Sequence, residues 1–235
     1  MVDGTLPIAG LLEALRRADR PTLVLRPEPA SPPASVALLA GSFDPLTVGH
    51  AAMAGAAARL AELVVLVYSV RTLPKEHTSP PPLLDEENRV AALERFCRAR
   101  GYAAGLCSHG LLADQVEAAD ELFPEAELLV VVGSDKLLQL LDPRWYENVD
   151  ATLEALFSRA SVTFAMRSGD AGAVADAIES PAHAGWAPWS PQIRELDIDP
   201  AVAAVSSRDV RARIARGDDV SALVPEEFLR VIVAR

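Results

Sequence analysis

Three continuous apolar runs, VALLAG (36–41), LVVLVYS (63–69) and LLVVVG (128–133), constrain the fold of this chain more than any other feature. A run that is apolar at every position suits a strand covered on both faces, whereas a strand with one wet face alternates. The stretches between the runs read as helices. An Ala-rich segment covers 48–61, Asp85 caps a helix that continues to Arg100, and Leu111–Leu122 has helical spacing. Buried strands alternating with helices imply an α/β fold with a mostly parallel sheet and helices on both faces.

Weaker signals extend this pattern into a Rossmann-like domain. Tyr102–Cys107, SVTFAM (161–166) and IRELDI (193–198) are further strand candidates. Residues 71–84 carry Pro74, Pro80, Pro81 and Pro82 and read as a loop. Ser206 starts a helix that runs to Arg216 with Gly217 as its stop, and Pro225 starts a last helical segment. Upstream, Ile8, Leu11, Leu12 and Leu15 share a helical face, Thr22–Leu25 suits an edge strand, and Pro27–Pro33 is a linker. Residues 1–34 are therefore expected to be an N-terminal extension packed on a domain of 35–235. On such sheets ligands sit at the carboxyl ends of the strands, near a switch in strand order.

A net charge of −11 argues against general nucleic-acid binding, which needs clustered Lys and Arg. A nucleotide pocket needs only a few local cations and stays open to such a chain. Cys97 and Cys107 have neither CxxC spacing nor a His partner and read as buried free thiols in a reducing compartment. There is no secretory signal pattern, and no apolar stretch reaches the roughly 20 residues that span a bilayer. The expectation is a soluble, cytoplasmic protein without a nucleic-acid or membrane partner, with homo-oligomer formation left open.

The segment GSFDPLTVGH (41–50) follows a strand and opens a helix. Gly41 permits a tight turn, Pro45 fixes φ, and His50 falls in the first helical turn, where N–H groups and the helix dipole attract anions. A phosphate there would meet His50 and the amides of Ser42 and Phe43. Far downstream, VSSRDVR (205–211) opens another helix, with Arg211 four residues after Ser207 on the same face. Its guanidinium suits a bidentate clamp on phosphates. GSDK (133–136) follows the third strong strand and DPRWYENV (142–149) comes next.

Together these segments resemble the HxGH-type nucleotidyltransferase superfamily, with Thr47 in place of the first His and Arg208 where Thr is usual. Within it the chain looks like the nicotinamide/nicotinate mononucleotide adenylyltransferase family, and its N-terminal extension and DPRWY stretch look closest to the divergent fungal-type branch. The resemblance covers roughly residues 36–235. It implies transfer of the adenylyl group of ATP to nicotinamide or nicotinate mononucleotide, with Mg²⁺ brought by ATP rather than held by a protein cage. It implies catalytic roles for His50 and Arg211. ATP would be bound by Gly41, Ser42, Phe43, Thr47, His50, Gly133, Asp135, Ser206, Ser207 and Arg211, with Asp135 on the ribose. Lys75 would meet a phosphate of the substrates and Trp145 would stack on the pyridine ring, with Trp186 and Trp189 next in line. Arg89 also resembles a family position but reads as a structural helix residue. His77, His109 and His183 suit surface or packing roles. Phosphopantetheine is the alternative acceptor, although a mid-chain GLR-type segment is missing. A cytidylyltransferase lacks its RTxGISTT-like segment here, and a non-catalytic nucleotide sensor is a reading from a different class.

Overall fold

The structure, a computed structural model, describes residues 2–71, 82–142, 144, 148–167, 169–179 and 189–234. Among them, seven strands form one sheet in the order β1-β4-β3-β2-β5-β6-β7. The strands are β1 (Leu23–Arg26), β2 (Ser35–Ala40), β3 (Leu63–Ser69), β4 (Ala103–Cys107), β5 (Glu127–Gly133), β6 (Ala160–Ala165) and β7 (Ile193–Glu195). All neighbouring pairs are parallel except β1 with β4.

The alternation of side chains across β2 explains why it is apolar at every position after Ser35. Ala37 and Leu39 enter one core with Met53 of α2 (Val48–Ala57), Phe96 of α3 (Glu86–Arg98) and Phe228 of α10 (Glu226–Val233). Val36 and Leu38 enter the other core with Val116 of α4 (Leu112–Leu122), Leu137 of α5 (Ser134–Leu140), Leu153 of α6 (Val149–Phe157) and Val174 of α7 (Ala171–Glu179). Both faces of the sheet are thus sealed by helices, as a two-sided apolar strand requires.

Residues 1–34 supply α1 (Ile8–Arg16) and β1. Leu11 and Leu15 of α1 are fully buried in the first core, and β1 closes the sheet edge against β4 with Leu23 opposite Cys107. Helices α5, α6 and α7 were not legible as separate elements. The chain passes from β5 into α5 without a capping side chain, because Gly133 is itself the N-cap. The expected IRELDI strand stops at Glu195, and Pro200 begins the short helix α8 (Pro200–Ala203). The helix α9 (Ser207–Ala215) completes the set, with Gly217 just beyond it at φ 79°. Cys97 and Cys107 are buried and free, and burial pushes their thiols up to about 12 and about 11.

Strand order reverses between β2 and β5: β3 and β4 lie beyond β2 on one side, β6 and β7 beyond β5 on the other. The carboxyl ends of β2 and β5 therefore flank the crevice where such sheets bind ligands. Ala40, which ends β2, leads directly into the GSFDPLTVGH segment, and Gly133 ends β5.

Candidate active site

The turn after β2 is shaped by its small and strained residues. Phe43 has φ 44°, a left-handed conformation that a bulky residue seldom adopts. Its ring is fully buried and covers Gly41, where a Cβ would come within 2.6 Å of the ring. The same ring meets the imidazole of His50 edge-on, with centroids 5.4 Å apart.

His50 occupies the third position of α2 and Thr47 is the N-cap. The backbone N–H of Thr47 donates to Nδ1 of His50 at 3.1 Å, and the Thr47 hydroxyl lies 2.9 Å from the same nitrogen. A nitrogen that accepts this N–H carries no proton, so the proton of the neutral ring sits on Nε2. Burial, with the charge of Arg167 second, pushes the imidazole down to about 3. His50 is thus a neutral Nε2–H donor with a fixed tautomer at a helix N-terminus, where several N–H groups lack helical partners.

The second motif is locked onto the first. The Thr47 hydroxyl donates to the Val205 carbonyl at 2.9 Å, the Ser207 hydroxyl donates to the Pro45 carbonyl at 2.9 Å, and Nη1 of Arg211 donates to the Asp44 carbonyl at 2.6 Å. Gly49 makes this approach feasible, because a Cβ there would lie 2.9 Å from the Val202 carbonyl oxygen and 3.0 Å from that of Val205. Both serine hydroxyls expected to meet phosphate are engaged within the protein. Ser206 is the N-cap of α9, accepting the Asp209 N–H at 3.1 Å and donating to its carboxylate at 2.6 Å. With Asp209 capped, the N–H groups that helix geometry leaves without an intrahelical partner at this end of α9 are those of Ser207 and Arg208. Thr47 likewise uses its hydroxyl to cap α2 and hold Val205.

Across the crevice, Asp135 lies in the first turn of α5 with a largely exposed carboxylate, 3.4 Å from Nε of Arg167. Gly133 leaves room for both, since a Cβ would meet the Asp135 carboxylate at 2.6 Å and the Arg167 guanidinium at 3.0 Å. Arg167 itself is held by a backbone hydrogen bond to the Ser134 hydroxyl, which donates to Asp170 at 2.7 Å. The structure therefore brings together Gly41, Ser42, Phe43, Thr47, His50, Ser206, Ser207 and Arg211 on one side and Gly133 and Asp135 on the other. Lys75, Trp145, Trp186, His77 and His183 lie outside the described residues.

Sequence reasoning assigned no role to Asp44, Gly49 or Arg167. Asp44 and Gly49 stand inside the ten-residue motif, but their partners are remote in sequence. Arg167 was detectable as a cation at the carboxyl end of a candidate strand. Arg89 is buried, donating to the carbonyls of Leu84 at 2.7 Å and Ser42 at 3.4 Å, a structural role that braces the turn. His109 pairs with Arg71 at 2.9 Å and with Ser108 at 2.8 Å, away from the crevice. Trp189 is half-buried, stacks on Phe157 with centroids 5.7 Å apart and packs against the second core. A cavity of about 600 Å³ lies elsewhere, between the end of α2 and strands β5–β7, and none of the expected site residues lines it. Among the described residues no group of three or more His, Cys, Asp and Glu side chains is arranged to hold a metal ion, and no helix is long and apolar enough to cross a membrane.

The chain is similar to known proteins in sequence and in fold. The cytidylyltransferase-like family model matches residues 38–213. The probable nicotinate-nucleotide adenylyltransferase of Laribacter hongkongensis is 32% identical over 213 residues, covering 80% of this chain and 87% of that protein. Its counterpart from Chlorobium phaeobacteroides is 28% identical over 209 residues, covering 84% of this chain and 96% of that protein. Both relatives are bacterial and lend no support to a fungal-type placement. Among solved structures, the nicotinic acid mononucleotide adenylyltransferase of Plasmodium falciparum, complexed with APC, shares the fold with a TM-score of 0.58. It is 12% identical, and the match covers 86% of this chain and 95% of that one.

Proposed function

The chain belongs to the cytidylyltransferase-like family, among its nicotinate-nucleotide adenylyltransferases, and from that premise we propose that it transfers the adenylyl group of ATP to nicotinate mononucleotide, releasing pyrophosphate. The observation that carries the proposal is the docking of the Arg211 helix onto the His50 turn at the point where strand order reverses. The reaction needs no protein nucleophile. An oxygen of the acceptor's 5′-phosphate attacks the α-phosphorus of ATP, a P–O bond forms there, and the bond to the β-phosphate oxygen breaks as pyrophosphate leaves. The protein contributes positioning and charge stabilisation.

His50 donates its Nε2–H to an α-phosphate oxygen as negative charge builds there. A neutral donor serves this role, because the developing charge is stabilised by a fixed dipole that needs no reorganisation. Arg211 and the first N–H groups of α9 hold the β- and γ-phosphates. Asp135 accepts the adenosine ribose hydroxyls, and Arg167 beside it offers a further cation to the triphosphate. Mg²⁺ brought with ATP would be held by the substrate phosphates rather than by a protein cage and would add to the neutralisation of their charge. Lys75 and Trp145 are proposed for the mononucleotide side. Residues 35–235 carry the chemistry while residues 1–34 brace the sheet edge, and the protein works in the cytoplasm.

The discriminating experiment measures pyrophosphate release with ATP and each of nicotinate mononucleotide, nicotinamide mononucleotide and phosphopantetheine. The expected order places nicotinate mononucleotide first. Turnover only with phosphopantetheine overturns the acceptor assignment, and ATP binding without turnover on any acceptor favours a nucleotide sensor.

A further inference from the structure

Among the described residues Asp44 is one of the few buried charged side chains, with 4% of its surface exposed. Its carboxylate accepts the backbone N–H groups of Leu83 at 3.0 Å and Leu84 at 2.9 Å. Two guanidinium groups also face it. Nη2 of Arg89 stands at 3.5 Å and Nη1 of Arg211 at 3.7 Å. Arg211 additionally donates to the Asp44 backbone carbonyl at 2.6 Å.

The two arginines differ in how they are held. Arg89 has carbonyl partners of its own on Leu84 and Ser42. Among the described residues, every hydrogen bond and ion pair recorded for Arg211 ends on Asp44, and its Nε is buried without a partner. A long side chain with one anchor keeps its geometry only as well as that anchor does. A buried charge is tolerated only when paired, so the arrangement is sensitive to loss of the carboxylate.

We propose that Asp44 is the positioning residue for Arg211, fixing where its guanidinium stands and reducing the two positive charges that face it to one net charge offered to the triphosphate. The carboxylate touches no substrate. It acts through Arg211, and its hold on Leu83 and Leu84 ties the start of α3 into the same junction. This inference rests on the adenylyl-transfer reading and deepens it.

The test is a double-mutant cycle of Asp44→Asn and Arg211→Lys, read as kcat and as KM for ATP and for nicotinate mononucleotide. Asn keeps the shape and one acceptor but removes the charge. Asp44→Asn is expected to lower kcat about tenfold or more and to raise KM for ATP, with KM for the mononucleotide within about twofold of wild type. In the Arg211→Lys background the same change is expected to cost less than about threefold, because the group Asp44 acts through is already displaced. Additive losses, or a fully active Asp44→Asn enzyme, overturn the proposal, since a merely structural carboxylate would act independently of Arg211. If circular dichroism shows Asp44→Asn to be unfolded, Asp44→Glu is carried through the same cycle under the same criterion. Wild-type pyrophosphate release is measured first. Its absence overturns the adenylyl-transfer reading, whereas wild-type turnover with an additive cycle overturns only the role of Asp44.

Discussion

The hydroxyl of Thr47 donates to the carbonyl of Val205 across 2.9 Å, joining residues 158 positions apart in the chain. The same oxygen caps α2, and the Thr47 backbone N–H sets the tautomer of His50. One residue thereby registers the second motif against the first and orients the donor expected to face the α-phosphate. A Thr at this place offers no second imidazole to a substrate, but it supplies the short hydroxyl that this junction uses.

Gly49 sits where α2 passes closest to the α8–α9 connection. Gly49→Ala inserts a methyl group against two backbone carbonyl oxygens, at 2.9 and 3.0 Å, and neither is the end of a flexible side chain. Overpacking of this kind costs about 1–3 kcal/mol. Calorimetry is expected to show a lowered Tm, and kcat to fall with it because Arg211 moves away from His50. An unchanged Tm would mean that the two segments are not in the contact described.

His50 is expected to work without gaining a proton. Its pKa is depressed from 6.5 to about 3 by burial, with Arg167 second. The unfolded chain therefore binds a proton that the folded one rejects, so stability falls as pH drops from about 6.5 toward 3. Above pH 6.5 both states are neutral and the contribution is flat. His50→Gln is expected to reduce this acid-side slope in denaturant midpoints measured across that range. Turnover is expected to show no His50 titration between pH 6 and 8, and His50→Ala to lower kcat about a hundredfold with a smaller effect on ATP binding. Near wild-type turnover in the Ala variant contradicts the assignment.

Arg211→Lys keeps the charge and loses the planar fork that donates to the Asp44 carbonyl and is proposed to hold a phosphate. Steady-state kinetics are expected to give a higher KM for ATP and a lower kcat, with folding retained. Wild-type kinetics would place the side chain outside the reaction.

Trp189 provides the opposite expectation. Its indole stacks on Phe157, which is buried in the second core. Trp189→Ala loses that pair, worth about 1 kcal/mol beyond the area it buries. A lowered Tm with unchanged KM for both substrates is expected. A selective rise in KM for the mononucleotide would return Trp189 to the list of ring-binding candidates.

Much of this molecule was legible before any coordinates. The apolar runs at 36–41, 63–69 and 128–133 contain β3 and most of β2 and β5, because the sealed part of a strand covered on both faces is apolar at successive positions. The caps of α3 and α9 were equally visible, since Asp85 and Ser206 satisfy orphan N–H groups three residues ahead, a contact local in sequence. His50 and Arg211 were legible because motif spacing around a strand-to-helix turn is also local. The three-dimensional structure alone decided what those residues touch. It engaged the Ser206, Ser207 and Thr47 hydroxyls with groups of the protein, placed Arg167 beside Asp135, packed Trp189 against the second core and set Asp44 between two arginines. Each of these contacts but the Ser206 cap joins segments distant in the chain. Periodicity and capping carry no information about such distances; they follow from how the sheet orders its strands and how closely a glycine lets two helices approach.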